Sequence, residues 1–86
     1  MPGPRVTLYT AAGCHLCDTA KQALAQLAGT AEFDLHEVDI TGVPELEAAH
    51  REWLPVVEIE GERAFVYYVR PDEFLARLAR HEVGTS

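Results

Sequence analysis

Apolar residues in the first half of the chain recur with two different periods. In residues 5–10 they lie close together, a pattern typical of a strand that is covered on both faces. In residues 15–28 they recur every three or four positions, which predicts an amphipathic helix. Strand character returns in residues 33–40. Because strand–helix–strand connections are almost always right-handed, we expect these two strands to be parallel neighbours.

The second half of the chain contains shorter segments. A short helix is predicted to begin near Pro44 and to end before Pro55, since proline is favoured in a first turn and disfavours helix before it. Its inner face is expected to hold Leu46, Ala49, His50 and Trp53. Residues 56–60 and 64–69 flank Gly61 and predict an antiparallel hairpin. A last helix begins at Pro71, and its buried face is expected to hold Phe74, Leu75, Leu78 and Ala79.

The predicted order of elements is therefore β-α-β-α-β-β-α. One four-stranded mixed sheet in the order 2-1-3-4, with helices on both faces, keeps every connection short. The fold class is then α/β with three layers. A chain of 86 residues predicts a single domain over residues 1–86, with a core at about 5–81 and a frayed tail over 82–86.

Charge and composition exclude several classes of function. The net charge of −7 and the pI of about 4.9 argue against a surface for nucleic acid or anionic membrane, which needs clustered Lys and Arg. No segment approaches the ~18 apolar residues that span a bilayer, and the first residues do not resemble a secretory leader. We therefore expect a cytoplasmic protein. In that compartment a closely spaced cysteine pair is typical of catalysis or metal binding.

The two cysteines, Cys14 and Cys17, lie where the first strand turns into the first helix. Free backbone N–H groups and the helix dipole favour a thiolate there, so the pKa of Cys14 is expected below the usual ~8.5. Cys17 follows one helical turn later on the same side. These positions predict Cys14 as the exposed nucleophile and Cys17 as the buried resolving thiol of a disulfide exchange. His15, if charged, would stabilise the Cys14 thiolate; the alternative is an exposed polar residue.

Metal binding is the competing interpretation of the cysteine pair. A structural zinc site needs four ligands, and the chain has no third cysteine and no two histidines three to five residues apart. No metal ligand is therefore predicted within one chain. An iron–sulfur cluster shared between two chains would need further ligands from a partner or a small thiol, and this alternative stays open.

Several stretches together resemble the glutaredoxins. They are Leu8-Tyr9-Thr10 ahead of Cys14-x-x-Cys17, then Ala20-Lys21-x-x-Leu24, Glu37-Val38-Asp39-Ile40 and Leu54-Pro55-Val56-Val57. The resemblance covers residues 5 to about 80, and it is closest to the short bacterial glutaredoxin-like proteins. It implies a thioredoxin-like fold and a redox-active centre. It also implies a cis Leu54–Pro55 bond, although most X–Pro bonds are trans, and a Leu54 backbone that pairs with an extended substrate.

The sequence departs from the glutaredoxins where they contact glutathione. Glutaredoxins usually carry a cation shortly before the first cysteine, but residues 10–13 contain none. His15-Leu16 stands where Pro-Tyr is usual, and Trp53-Leu54 where Thr-Val is usual. Val69-Arg70-Pro71-Asp72 replaces a Gly-Gly segment followed by polar or acidic residues. Redoxins that serve ribonucleotide reductase also lack much of this site, and this resemblance makes a protein reductase a candidate electron source.

The sequence thus predicts a small thiol–disulfide oxidoreductase with Cys14 and Cys17 as catalytic residues and His15 as a tuning residue. Its expected role is in cell redox homeostasis and electron transport. Leu54, Pro55 and Trp53 are expected to bind substrate, although Trp53 is equally interpreted as a packing residue. Expected partners are protein disulfides and, as reductant, glutathione or a flavoprotein of the thioredoxin-reductase type. No bound cofactor, nucleic acid or membrane is expected, and the protein is expected to be a monomer.

Three further residues have mainly structural interpretations. Tyr67 and Tyr68 are expected to pack on the fourth strand rather than to bind a ligand. Asp39, near the end of the second strand, is expected to be a solvated or capping acid rather than a proton acceptor beside Cys17.

Overall fold

The structure is a computed structural model that describes residues 3–84. Its elements follow the predicted order. They are β1 (Arg5–Thr10), α1 (His15–Leu27), β2 (Asp34–Asp39), α2 (Pro44–His50), a 3-10 turn (Arg51–Trp53), β3 (Val56–Ile59), β4 (Glu62–Val66) and α3 (Pro71–Gly84). Met1, Pro2, Thr85 and Ser86 lie outside the described residues. α3 continues to Gly84, so the helix extends into the segment for which a frayed tail is predicted.

The four strands form one mixed sheet in the order β2-β1-β3-β4. β1 is parallel to β2, with Val6 opposite Leu35. It is antiparallel to β3, with Leu8 opposite Val57, and β4 completes the sheet antiparallel to β3. This topology confirms the predicted α/β fold of the thioredoxin type.

One face of the sheet carries the hydrophobic core. Alternate residues of β1 and β3 point to this face, and α1 and α3 pack over it. The buried cluster consists of Val6, Leu8, Ala20, Leu24, Leu27, Val57, Ile59, Phe65, Phe74 and Leu78. Phe74 is completely buried and lies 5.1 Å from Phe33, edge to face. These contacts fix α1, and with it the end of α1 that carries the cysteines.

The opposite face is covered only in part, because α2 is short. The ring of His50, at the end of α2, stacks on Tyr9 of β1 with 4.0 Å between centroids. His50 is buried, as predicted, and its Nδ1 has no hydrogen-bond partner among the described residues. Beyond this stack a polar groove of about 620 Å³ stays open, lined by Gly3, Arg5, Thr7, Tyr9, Asp34, Glu58, Glu60 and Gly61.

The predicted inner faces of α2 and α3 are partly wrong. Trp53 is 41% exposed and Ala49 is exposed, so they do not join His50 in the interior. In α3 the buried stripe is Phe74 and Leu78, whereas Leu75 and Ala79 are exposed. Because successive helical residues lie about 100° apart, neighbours of the buried pair turn away from the sheet.

The hairpin of β3 and β4 is shorter than predicted. Glu60 and Gly61 both have positive φ, which matches a tight turn between right-twisted strands. β4 ends at Val66 because Tyr67 also has a positive φ of 68°, and the Tyr68 N–H donates to the Val66 carbonyl across it at 2.8 Å. The prediction that Tyr67 and Tyr68 pack in the sheet is therefore wrong. Their side chains are 39% and 64% exposed.

Candidate functional site

The two cysteines lie at the junction between β1 and α1. Residues 11–13 connect the two elements, and Gly13 has a φ of +77°, a conformation that costs other residues energy. Cys14 has extended backbone angles and precedes the first helical residue, so it is the N-cap of α1. A cap residue normally offers an oxygen to the free N–H groups of the first turn. Here a sulfur occupies that position.

Cys14 and Cys17 form a disulfide, with their Cα atoms 5.2 Å apart. The backbone N–H of Cys17 donates to Cys14 Sγ at 3.1 Å, and the N–H of Asp18 donates to the Cys14 carbonyl at 3.3 Å. The same N–H group would stabilise a thiolate on Cys14 after reduction, because hydrogen bonds to an ion favour the charged form.

The two sulfur residues differ in their access to solvent. Cys17 lies on the buried side of α1 and is 3% exposed, whereas Cys14 is half-buried. A substrate sulfur can therefore approach Cys14 but not Cys17. The roles of nucleophile and resolving thiol stay predictions, and this difference in access is the arrangement that they require.

His15 is exposed at the first position of α1. Among the side chains that the structure describes, those of residues 3–81, none forms a hydrogen bond or ion pair with its imidazole. The charged side chain nearest to the cysteines in sequence is Asp18, in the first turn of α1. The described contacts around the sulfurs therefore come from the backbone, and a tuning role of His15 stays a prediction.

A hydrogen bond outside the cysteine motif holds the loop that leads to Cys14. The Ala12 N–H donates to Thr41 Oγ1 at 3.1 Å, and the Thr41 N–H donates to Asp39 Oδ1 at 2.9 Å. The Thr41 amide lowers the pKa of Asp39, and this capping contact agrees with the predicted capping role of that acid. Sequence reasoning missed Thr41. The signal was available, since parallel strands end at the same edge and bring the residues that follow them together.

The Leu54–Pro55 bond is cis, as the resemblance implied. Pro55 is buried, and Leu54 before it is half-buried with extended angles. Val56, the next residue, pairs with Tyr9 close to the end of β1. The sheet therefore brings Leu54 and Pro55 to the same end as the cysteine turn. Binding of substrate there stays a prediction.

Trp53 forms part of an exposed aromatic cluster instead of the core. Its ring lies 6.1 Å from the ring of Tyr67 and 6.0 Å from the guanidinium of Arg63. Tyr67 connects this cluster to the cis proline, because its N–H donates to the Pro55 carbonyl at 3.0 Å and its hydroxyl donates to the Glu52 carbonyl at 3.1 Å. The exposed Trp53, the half-buried Leu54 and the buried Pro55 are thus consecutive residues of one loop.

The donor atoms of the described residues do not assemble a metal site. Within residues 3–81, whose side chains the structure describes, no group of three or more His, Cys, Asp or Glu residues is arranged to hold a metal ion. In the same part of the chain, no helix has the length and apolar character needed to cross a membrane.

Comparisons with known proteins place this geometry among redox proteins. A family model described as "Glutaredoxin-like domain (DUF836)" matches residues 5–82. An uncharacterized protein of Mycobacterium tuberculosis is 33% identical over 90 residues, which cover 99% of this chain and 93% of that protein.

Solved structures show the same resemblance. The X-ray structure of the structural-genomics protein XcR50 from X. campestris is 32% identical, with a TM-score of 0.71, and the match covers 87% of this chain and 96% of that one. The glutaredoxin-like protein NrdH-redoxin from Escherichia coli, described as having a thioredoxin-like activity profile, is 29% identical with a TM-score of 0.59. That match covers 88% of this chain and 92% of the redoxin. The family, the fold and the cysteine pair support a redox function and, in general terms, redox partner proteins.

Proposed function

The chain belongs to the glutaredoxin-like domain family, and on this premise we propose that it is a small thiol–disulfide oxidoreductase that reduces disulfides of other proteins. The observation that carries the proposal is the sulfur pair at the start of α1. One sulfur is accessible and caps the helix, and the other is buried one turn further on. A structural disulfide has no need of such an asymmetry, whereas two-step exchange does.

The proposed reaction starts from the reduced protein. The Cys14 thiolate attacks one sulfur of a substrate disulfide, and the second substrate sulfur leaves as a thiolate that takes up a proton. Cys17, having lost its proton, then attacks Cys14 Sγ in the mixed disulfide and releases the first substrate sulfur, which is protonated in turn. The substrate gains two electrons and two protons, and the protein becomes the Cys14–Cys17 disulfide, the state that the structure contains.

Leu54 and Pro55 are proposed to receive the substrate backbone. Leu54 is extended and lies at the same end of the sheet as the cysteine turn. An extended segment of the substrate can pair with such a backbone, while Trp53 and Tyr67 offer exposed aromatic surface beside it.

A protein reductase is proposed as the electron donor. The loop of residues 11–13 has no cation for a glutathione carboxylate, and the similarity to NrdH-redoxin, with its thioredoxin-like activity profile, points in the same direction. A flavoprotein of the thioredoxin-reductase class would supply two electrons and two protons to the disulfide. The test measures the rate at which the Cys14–Cys17 disulfide is reduced by glutathione and, separately, by such a reductase supplied with NADPH. Faster reduction by glutathione would contradict this assignment.

Insulin reduction in the presence of a small dithiol tests the core of the proposal. Wild type is expected to accelerate it, Cys14→Ser to give the uncatalysed rate, and Cys17→Ser to accumulate a mixed disulfide that mass spectrometry detects. Full dithiol turnover by Cys14→Ser, or none by wild type, would contradict the proposal.

The rival function, cluster binding between two chains, predicts visible absorbance and bound iron in a dimer after anaerobic purification. A colourless monomer with a reducible disulfide excludes it.

A further inference from the structure

The turn that carries Cys14 is held by hydrogen bonds on both sides, from α1 after the cysteine and from Thr41 before it. On the C-terminal side, Cys14 is held by α1 through the N–H groups of Cys17 and Asp18. On the N-terminal side, the last described hydrogen bond before the sulfur joins the Ala12 N–H to Thr41 Oγ1 at 3.1 Å. Only Gly13 lies between that bond and Cys14.

Thr41 is itself held in place by its own neighbours. Its N–H donates to Asp39 Oδ1 at 2.9 Å, and the preceding Ile40, fully buried, donates its N–H to the Thr10 carbonyl at 2.9 Å. The end of β2 is thereby joined to the end of β1 immediately before Ala12. The Thr41 hydroxyl extends this connection by one step beyond the sheet.

The anchor matters most when the disulfide is open. In the oxidised protein the covalent bond between the sulfurs restrains Cys14 in addition to the hydrogen bonds. In the reduced protein that restraint is lost, and Gly13 has the backbone freedom to let the turn move. Holding Ala12 then keeps Cys14 Sγ near the Cys17 N–H, where a thiolate is stabilised and where the second sulfur can reach it.

We propose that Thr41 is a positioning residue for the cysteine pair: its Oγ1 holds Ala12 so that reduced Cys14 stays at the N-terminus of α1. The proposal rests on the proposed disulfide exchange and adds a residue to it. Thr41 contacts neither sulfur, and it acts through Ala12 and Gly13.

The test measures the thiol of Cys14 directly. In a Cys17→Ser background, the rate of alkylation by iodoacetamide is followed against pH. Thr41→Val and Thr41→Ala, which lack the acceptor, are expected to move the midpoint of this profile to higher pH, and Thr41→Ser to keep it near the starting value. Thr30→Val is the matched control, because the Thr30 hydroxyl donates to the Leu27 carbonyl at the other end of α1.

A second readout uses both cysteines. At a pH above the alkylation midpoints, the equilibrium constant for closing the Cys14–Cys17 disulfide against a reference dithiol is expected to rise about two- to tenfold in Thr41→Val, because a less stable thiolate makes the reduced protein less stable. That range is the one that the net contribution of one hydrogen bond gives, about 0.5–1.5 kcal/mol. Unshifted midpoints in the Val and Ala variants, or a Ser variant that behaves like them, would overturn the proposal. If the Thr41 variants give those results while the wild type reduces insulin, only the role of Thr41 is refuted and the proposed function stands. If the wild type does not reduce insulin, the proposed function itself is refuted.

Discussion

The two faces of the sheet come from the same strands but have different interiors. In β1, Val6, Leu8 and Thr10 are buried under α1 and α3, while Arg5, Thr7 and Tyr9 point to the other face. The first face carries the buried hydrophobic core, and we call it the dry face. The second is covered by one short helix, contains a stacked Tyr9–His50 pair and leaves a polar groove open.

This difference divides the site in two. Cys17 lies on the side of α1 that faces the dry core, so the packed face fixes the sulfur chemistry. Trp53 and Arg63 belong to the other face, where side chains remain exposed. A rigid support for the reacting atoms and a more accessible surface for the substrate are therefore supplied by opposite sides of one sheet.

Removing a large side chain from the dry face should have the largest effect. Phe74 is fully buried and contacts Phe33 and Phe65. Phe74→Ala is expected to lower the free energy of unfolding by about 3–5 kcal/mol, because the lost contacts leave a cavity. Urea denaturation followed by circular dichroism measures it. Tyr68→Ala, at an exposed position, is the control. An equal loss of stability in both variants would show that burial of Phe74 under the sheet does not stabilise the fold.

Truncation of a buried ring to alanine on the other face should lower the free energy of unfolding by less. His50→Ala removes a buried ring that stacks on Tyr9, but it also removes an Nδ1 that has no partner within the described residues. Since an unpaired buried polar group costs about 1–3 kcal/mol, it offsets part of the lost packing. We expect a net loss of about 1–2 kcal/mol in the same urea experiment. A loss as large as that of Phe74→Ala would show that both faces pack equally.

Sequence patterns predicted the dry face better than the other one. The period of apolar residues located α1, whose buried residues Ala20, Leu24 and Leu27 recur at the spacing of an amphipathic helix. It misplaced Trp53, because the chain changes after His50 to a 3-10 turn with fewer residues per turn, which alters the direction of the side chains. Motif spacing located the cysteines and Pro55.

Two features depended on contacts that no local pattern encodes. Tyr67 ends β4, although tyrosine favours strands, because it adopts a positive φ and its N–H and hydroxyl bond to Pro55 and Glu52. Thr41 reaches Ala12 only because two parallel strands end side by side. Both are long-range pairings that a local pattern does not show, and only for Thr41 did the predicted parallel pairing of β1 and β2 point to the partner.

The smallest expected effect is on stability at alkaline pH, and it comes from Tyr9 on the face that carries the open groove. Burial, and then the charge of Glu58, raises the pKa of Tyr9, whose hydroxyl donates to Glu58 Oε1 at 3.4 Å. The folded protein therefore holds this proton more tightly than the unfolded chain does. The resulting stability is complete below the unfolded value of about 10 and is lost as the pH rises through the folded one. Tyr9→Phe is expected to flatten the fall of stability above pH ~10, whereas Tyr68→Phe, at an exposed position, should leave it unchanged. Urea midpoints measured across the alkaline range compare the three proteins. If Tyr9→Phe follows the wild-type curve, then the Tyr9–Glu58 contact does not distinguish this face from the dry one.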